Sequence, residues 1–269
     1  MHPINKLLSK FSLKLVRLPP EKIPEKIFDD KIMINIGSGN WSCSGWTNLD
    51  FPSDHYKEAQ KRHKIIPYNI REDNIPFDDN SVDVIYTSHV IEHIENEYIQ
   101  RMFAECFRTL KKDRIIRIAC PDAEFLYEIS KHKTDYWVWR WRKGLSSLKK
   151  YYITTGNIPR NVDFLVREIA TPKLLYFRKN QTDYLHNFQS LDMLDFFEYL
   201  TGDLKYCGET PGDHINWWTF AKVKNMLNEA GFHSVIHSKW SASCSAEMKN
   251  MSYFDITDPI MSLYVEAIK

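Results

Sequence analysis

From residue 31 onward, short apolar runs rich in β-branched residues alternate with stretches of helical periodicity, the pattern that a parallel sheet covered by helices requires. The runs fall at 31–36 (KIMINI), 46–49, 65–68, 82–86 and 114–119, then again at 232–238 and 262–268. Between the fourth and fifth, residues 95–110 place Tyr98, Ile99, Met102, Phe103, Cys106, Phe107 and Leu110 at helical spacing, so one face is expected to be buried before the charged turn KKD. Residues 217–230 predict a further helix, stopped by Gly231. The expected fold is α/β: a Rossmann-like, seven-stranded, mostly parallel sheet flanked by helices.

Two segments depart from this rhythm. Residues 5–17 (NKLLSKFSLKLVR) interleave apolar residues with Lys6, Lys10, Lys14 and Arg17 before Pro19 and Pro20, and predict a basic amphipathic helix within residues 1–22. Such a helix packs on its own domain or makes a weak peripheral contact with an anionic membrane. Residues 134–200, rich in Trp, Tyr, Phe, Lys and Arg, are expected to form a helical insertion or lid in a domain covering 23–269.

Composition narrows the function classes. Lys and Arg total 36 against 35 Asp and Glu, so no global basic excess argues for a nucleic-acid partner. Cys43, Cys106, Cys120, Cys207 and Cys244 are odd in number and include no C-x-x-C pair, which fits reduced thiols better than a disulfide framework or a zinc site. No apolar run reaches the roughly 20 residues of a membrane-spanning helix, and no secretory signal is recognisable at the start. A cytoplasmic protein without a bound metal is expected; the oligomeric state is not legible.

The chemistry begins at NIGSGN, residues 35–40, directly after the first strand. Gly37 is expected to permit a sharp strand-to-helix turn, and Gly39 lets backbone approach a ligand with no side chain between. Asp50 closes the second strand, where a carboxylate can accept both hydroxyl hydrogens of a ribose. A nicotinamide dinucleotide would call for G-x-G-x-x-G and an acid about 20 residues on; here the third position is Ser42 and Asp50 is nearer.

The series NIGSGN, GWTNLD, IPYNIREDNIPFDDNSVDVIYTSHVIEHI and ECFRTLKKDRIIRIACPD resembles class I S-adenosylmethionine-dependent methyltransferases over residues 31–123. The P-F-x-D-N-S-x-D and S-H-V-x-E-H blocks resemble the branch found in bacterial surface-polysaccharide biosynthesis. The resemblance implies S-adenosyl-L-methionine as cofactor and S-adenosyl-L-homocysteine as product. It puts Gly37 and Gly39 against the methionine part, Asp50 at the ribose, Asn69 and Ile70 beside the adenine and His89 at the sulfonium end, with Ser38 and Phe51 also in the cofactor-binding set. Asn35 stands where an acid is usual, and Trp41 where a third glycine is common.

An acceptor hydroxyl benefits from a general base within hydrogen-bond reach. His89, just beyond the fourth strand, is the first candidate. Asp122 follows the fifth strand and is the second, with a helix cap as its plain alternative. His214, in DHINWW, is the third, or else starts a helix; Glu92 and His93 lie on the next helical turn, and His93 reads as structural. In the insertion, YWVWRWRKG (136–144) and LKKYY (148–152) suit a stacked sugar carrying phosphate, an RNA, a lipid headgroup, or mere core packing. The expected acceptor is a saccharide or its phosphorylated decoration, with another small molecule or nucleic acid, or an inactive cofactor-binding subunit, as the competing readings.

Overall fold

The computed structural model describes residues 31–52, 57–61, 63–132, 161–174 and 184–269. The expected helix at 5–17 and the aromatic-basic runs at 136–144 and 148–152 lie outside the described residues. Chain contacts separate Met1–Asp30 from Lys31–Lys269, and the described residues all belong to the second unit.

The strands are β1 (Met33–Ile36), β2 (Trp46–Asp50), β3 (Ile65–Pro67), β4 (Val82–Ser88), β5 (Leu110–Pro121), β6 (Ser234–Ser238) and β7 (Ser262–Ile268). They form one seven-stranded sheet in the order β3-β2-β1-β4-β5-β7-β6. β1 to β5 are mutually parallel, and β7 runs antiparallel between β5 and β6. β1, β4 and the centre of β5 are buried along their length, which is why their sequences read as continuous apolar runs rather than alternations.

The helices are α1 (Lys57–Gln60), α2 (Asn96–Thr109), α3 (Ala123–Lys131), α4 (Asn161–Ile169), α5 (Leu185–Ser190), α6 (Met193–Thr201) and α7 (Phe220–Glu229). α2 carries the chain from β4 to β5, burying Ile99, Met102, Phe103 and Cys106 in the main core, and α7 packs beside it. α3 to α6 build a second apolar core around Leu126, Phe164, Leu165, Phe196 and Phe197. The described parts of the expected insertion are thus helical.

Three expectations are corrected. No helix follows the glycine turn: Gly37 leads into a loop that reaches β2 after nine residues (37–45), fewer than the dozen or so a crossover with its own helix needs. The charged KKD is not a turn but part of β5, where the pairing slips between Val82 and Val84 and Asp113 adopts φ +61°. Lys111 and Arg114 use this bulge to flank the buried Asp83, at 2.7 and 3.4 Å. Finally, α7 begins at Phe220 rather than 217, because the Thr219 hydroxyl accepts from Lys222 N (3.2 Å) and caps it.

Candidate functional site

The chain winds outward from β1 through β2 to β3, then returns to lay β4 on the other side of β1. The carboxyl ends of β1 and β4 therefore diverge at a topological switch point, where open α/β sheets leave a crevice. A crevice of about 380 Å³ opens there, within the range of small-molecule sites. Gly37, Ser38, Gly39, Asp50, Phe51, Asn69, Ile70 and His89 all line it.

Its rim is held by the carboxylate at the end of β2. Asp50 Oδ2 accepts from Gly39 N (2.7 Å) and Ser38 Oγ (3.3 Å), and Oδ1 accepts from Phe51 N (2.8 Å). Three of its four lone-pair sites are so occupied, and one remains for a ligand hydroxyl rather than the two expected. Gly37 N donates to Leu49 O (2.8 Å), and a Cβ at Gly37 would come within 2.3 Å of Val90 Cγ2, so only glycine lets the loop lie against the turn after β4. At Gly39 a Cβ would meet nothing within 4 Å. At the end of β3, Asn69 Oδ1 accepts from Arg71 N (3.1 Å), which leaves the amide nitrogen to donate to a base edge. An adenosine with a short polar chain fits this set: an amide donor, one free carboxylate lone pair, and a glycine with open space before it.

His89 lies beyond β4 in the left-handed region, φ +54°. Its Nδ1 is 3.1 Å from Glu92 Oε1 and its Nε2 is 2.9 Å from Ser262 Oγ. Ser262 gives its own hydrogen to the Asp258 carbonyl (2.9 Å), so toward the imidazole it can only accept. A ring facing two acceptors carries both hydrogens. Burial opposes that charge, but the Glu92 carboxylate outweighs it and raises the His89 pKa. Burial alone would also raise Glu92; the hydrogen bond and charge of His89, with His93 and His214 beyond, bring it down to about 2.

The other two acid–base candidates are placed elsewhere, and neither lines the crevice. Asp122 caps α3, accepting from Phe125 N (3.1 Å), with its pKa raised chiefly by burial. His214 hydrogen-bonds the Glu168 carbonyl through Nδ1 (2.5 Å) and packs edge-on against His93, ring centroids 4.8 Å apart. Burial, then His93, lowers its pKa to about 4. The crevice also takes in Arg71, Tyr206, Pro211 and Thr257, which sequence reasoning missed. The Arg71 guanidinium sits 3.6 Å above the Tyr206 ring. No motif marks these loops; only the folded chain brings residues near 206 and 257 to the end of β1.

Residues 43–118, covering β2 to most of β5, match the family described as a methyltransferase domain. No curated protein matches the sequence. Among solved structures, the chain is similar to an S-adenosylmethionine-dependent methyltransferase from Archaeoglobus fulgidus at 14% identity, covering 99% of this chain and 93% of that one with a TM-score of 0.44. It is similar to another from Mesorhizobium loti at 14% identity, 92% and 94% coverage and TM-score 0.43. A third, human N-acetylserotonin methyltransferase in complex with its methyl donor, shows 11% identity, 88% and 47% coverage and TM-score 0.40. A methyltransferase domain is thus matched across the central strands, and a crevice suited to an adenosine lies at the switch point of a seven-stranded, Rossmann-like sheet.

Proposed function

We propose that this chain is an S-adenosylmethionine-dependent methyltransferase that methylates a hydroxyl of a saccharide, or of a phosphorylated decoration of one, during surface-polysaccharide biosynthesis in the cytoplasm. The observation that carries the reading is a second hollow of about 410 Å³ sharing Gly37, Ser38, Asn40, Ser88 and Thr257 with the donor crevice. Its walls combine Trp41, Tyr253 and Ile256 with the polar side chains of Asn35, Ser42 and Ser252. A sugar ring offers an apolar face to aromatics and a rim of hydroxyls to such groups. The resemblance to the polysaccharide branch points the same way, and the near-neutral charge favours this acceptor over nucleic acid.

The bound donor supplies a methyl group made electrophilic by its sulfonium. The protein's work is then to set an acceptor oxygen in line with that bond. Asp50 and the glycine loop hold the donor, and His89 serves as the base once its ring has given up one hydrogen, with Glu92 fixing Nδ1–H so that Nε2, beside Ser262 Oγ, is the nitrogen left to take a proton. The 5–17 segment is proposed to bring the enzyme to an anionic membrane face where lipid-linked saccharides are built.

The test is to incubate the enzyme with the donor and parallel pools of nucleotide sugars, oligosaccharides, small amines, RNA and DNA, and to follow methyl incorporation by mass spectrometry. Incorporation into a saccharide supports the proposal; incorporation only into nucleic acid or amines overturns it. Calorimetric binding of the donor without transfer to any pool would favour a non-catalytic subunit.

A further inference from the structure

At the wall of the crevice, which His93 lines, the 3-10 turn Ile91–His93 meets the segment leading to α7. Both Ile215 N and Asn216 N donate to the Glu92 carbonyl, at 2.9 and 3.1 Å. This crossing brings Glu92, His93 and His214 together, with one potential ligand atom from each lying within 4.8 Å of the others. From this cluster we infer a site for a divalent first-row transition metal such as Zn²⁺, which nothing in the methyl-transfer chemistry requires.

The donor set and its surroundings carry the inference. The Glu92 side chain is 1% exposed; its Oε1 faces His89, and its Oε2 has no hydrogen-bond partner among the described residues. The His89 imidazolium meets only Oε1, so the buried Oε2 is left desolvated without a donor unless a second cationic group meets it. Each histidine makes the Nδ1 contact to a backbone carbonyl that commonly backs a metal-bound imidazole. His93 Nδ1 lies 2.9 Å from the Asp213 carbonyl and His214 Nδ1 2.5 Å from the Glu168 carbonyl. Carbonyls accept only, so both rings carry hydrogen on Nδ1 and leave the Nε2 lone pair available, the tautomer that backbone carbonyls impose on metal-bound imidazoles.

Two imidazole nitrogens and one carboxylate oxygen suit zinc, iron, cobalt or nickel and not magnesium or calcium, which take oxygen alone. Bonds of roughly 2.0–2.2 Å require the three atoms to close by an ångström or so, a side-chain adjustment. Three protein ligands leave a further position for an oxygen. The ion would pin His214 and its segment to the turn that bears His89.

The full chain, stripped with chelator and dialysed, is titrated with Zn²⁺ and separately with Co²⁺. The expected result is about one tightly held ion per chain by elemental analysis, a visible Co²⁺ absorption band of low-symmetry coordination, and a raised unfolding temperature. In Glu92→Gln and His214→Gln, stoichiometry and band are lost; circular dichroism establishes that these variants are folded. Less than about a tenth of an ion per chain, or an ion retained unchanged in both variants, overturns the site. Asp50→Ala separates the two readings, since it is expected to lose donor binding while keeping the ion.

Discussion

At Gly39 the backbone sits at φ +53° and a Cβ would enter open space, so the fold itself gives little reason for glycine there beyond conformation. The reason is the ligand side of the loop. Gly39→Ala is expected to cost about 1–2 kcal/mol of stability from the left-handed backbone. Donor affinity should fall further, roughly tenfold or more, because the methyl group occupies space meant for the donor. Calorimetry beside urea denaturation checks this, and an affinity loss no larger than the stability loss would sink it. His89 presents the opposite case, a side chain needed in a conformation that suits few residues. Asn tolerates φ +54° better than most, so His89→Asn keeps the backbone and removes the imidazole. Turnover should drop by about 10²-fold or more, the usual contribution of a general base, with donor affinity changed little. Steady-state turnover set against donor titration decides it, and turnover near that of the parent removes His89 as the base.

Among the elements, the connection from β6 to β7 contributes to both hollows while showing little in the sequence. It supplies Tyr253, Ile256 and Thr257 to the two hollows and is anchored from beneath by Arg117 of β5. That guanidinium is fully buried, pairing with Asp255 (2.5 Å) and Glu266 (3.0 Å) while donating to Ser238 Oγ and the Lys239 carbonyl. Asp255 in turn accepts from Ser241 N (3.0 Å), and its own N–H donates to the Tyr86 hydroxyl (2.9 Å). Arg117→Met would leave two buried carboxylates without their cation and should cost about 3–5 kcal/mol. The chemical-denaturation midpoint measures this, and a loss below about 1 kcal/mol would show the network to be dispensable. An Arg inside a strand reads as an interruption of an apolar run, because its partners lie more than a hundred residues away. Strands β1, β4 and the centre of β5 were legible since burial on both faces writes itself into consecutive side chains. The missing helix after β1 was not, since the deciding factor is a nine-residue span whose filling role falls to Trp41, packed against Trp46, Tyr86 and Phe254.

Over the whole described unit, one face of the sheet's switch point gathers residues from β1, β2, β3 and β4, and these motifs were visible because each follows its own strand directly. Asp122 and His214 stand apart from that gathering: a helix cap engages one and an edge-on contact with His93 engages the other. Since the donor would bridge the ends of four strands, its binding should resist unfolding of the entire sheet and not of one loop. A ligand at about a hundred times its Kd stabilises the native state by about 2.7 kcal/mol. For a unit of this size that corresponds to a rise of roughly 5–10 °C in Tm. The demethylated product, which keeps the adenosine and the carboxylate end, should give a comparable rise. Asp50→Ala should abolish both, because it removes the remaining ribose-facing lone pair together with the anchor of Gly39 and Ser38. Differential scanning calorimetry reads the whole transition. A single peak moving up with donor, and staying in place for the variant, is the expected record; a donor effect that persists in Asp50→Ala would place the adenosine somewhere other than at the ends of β1 and β2.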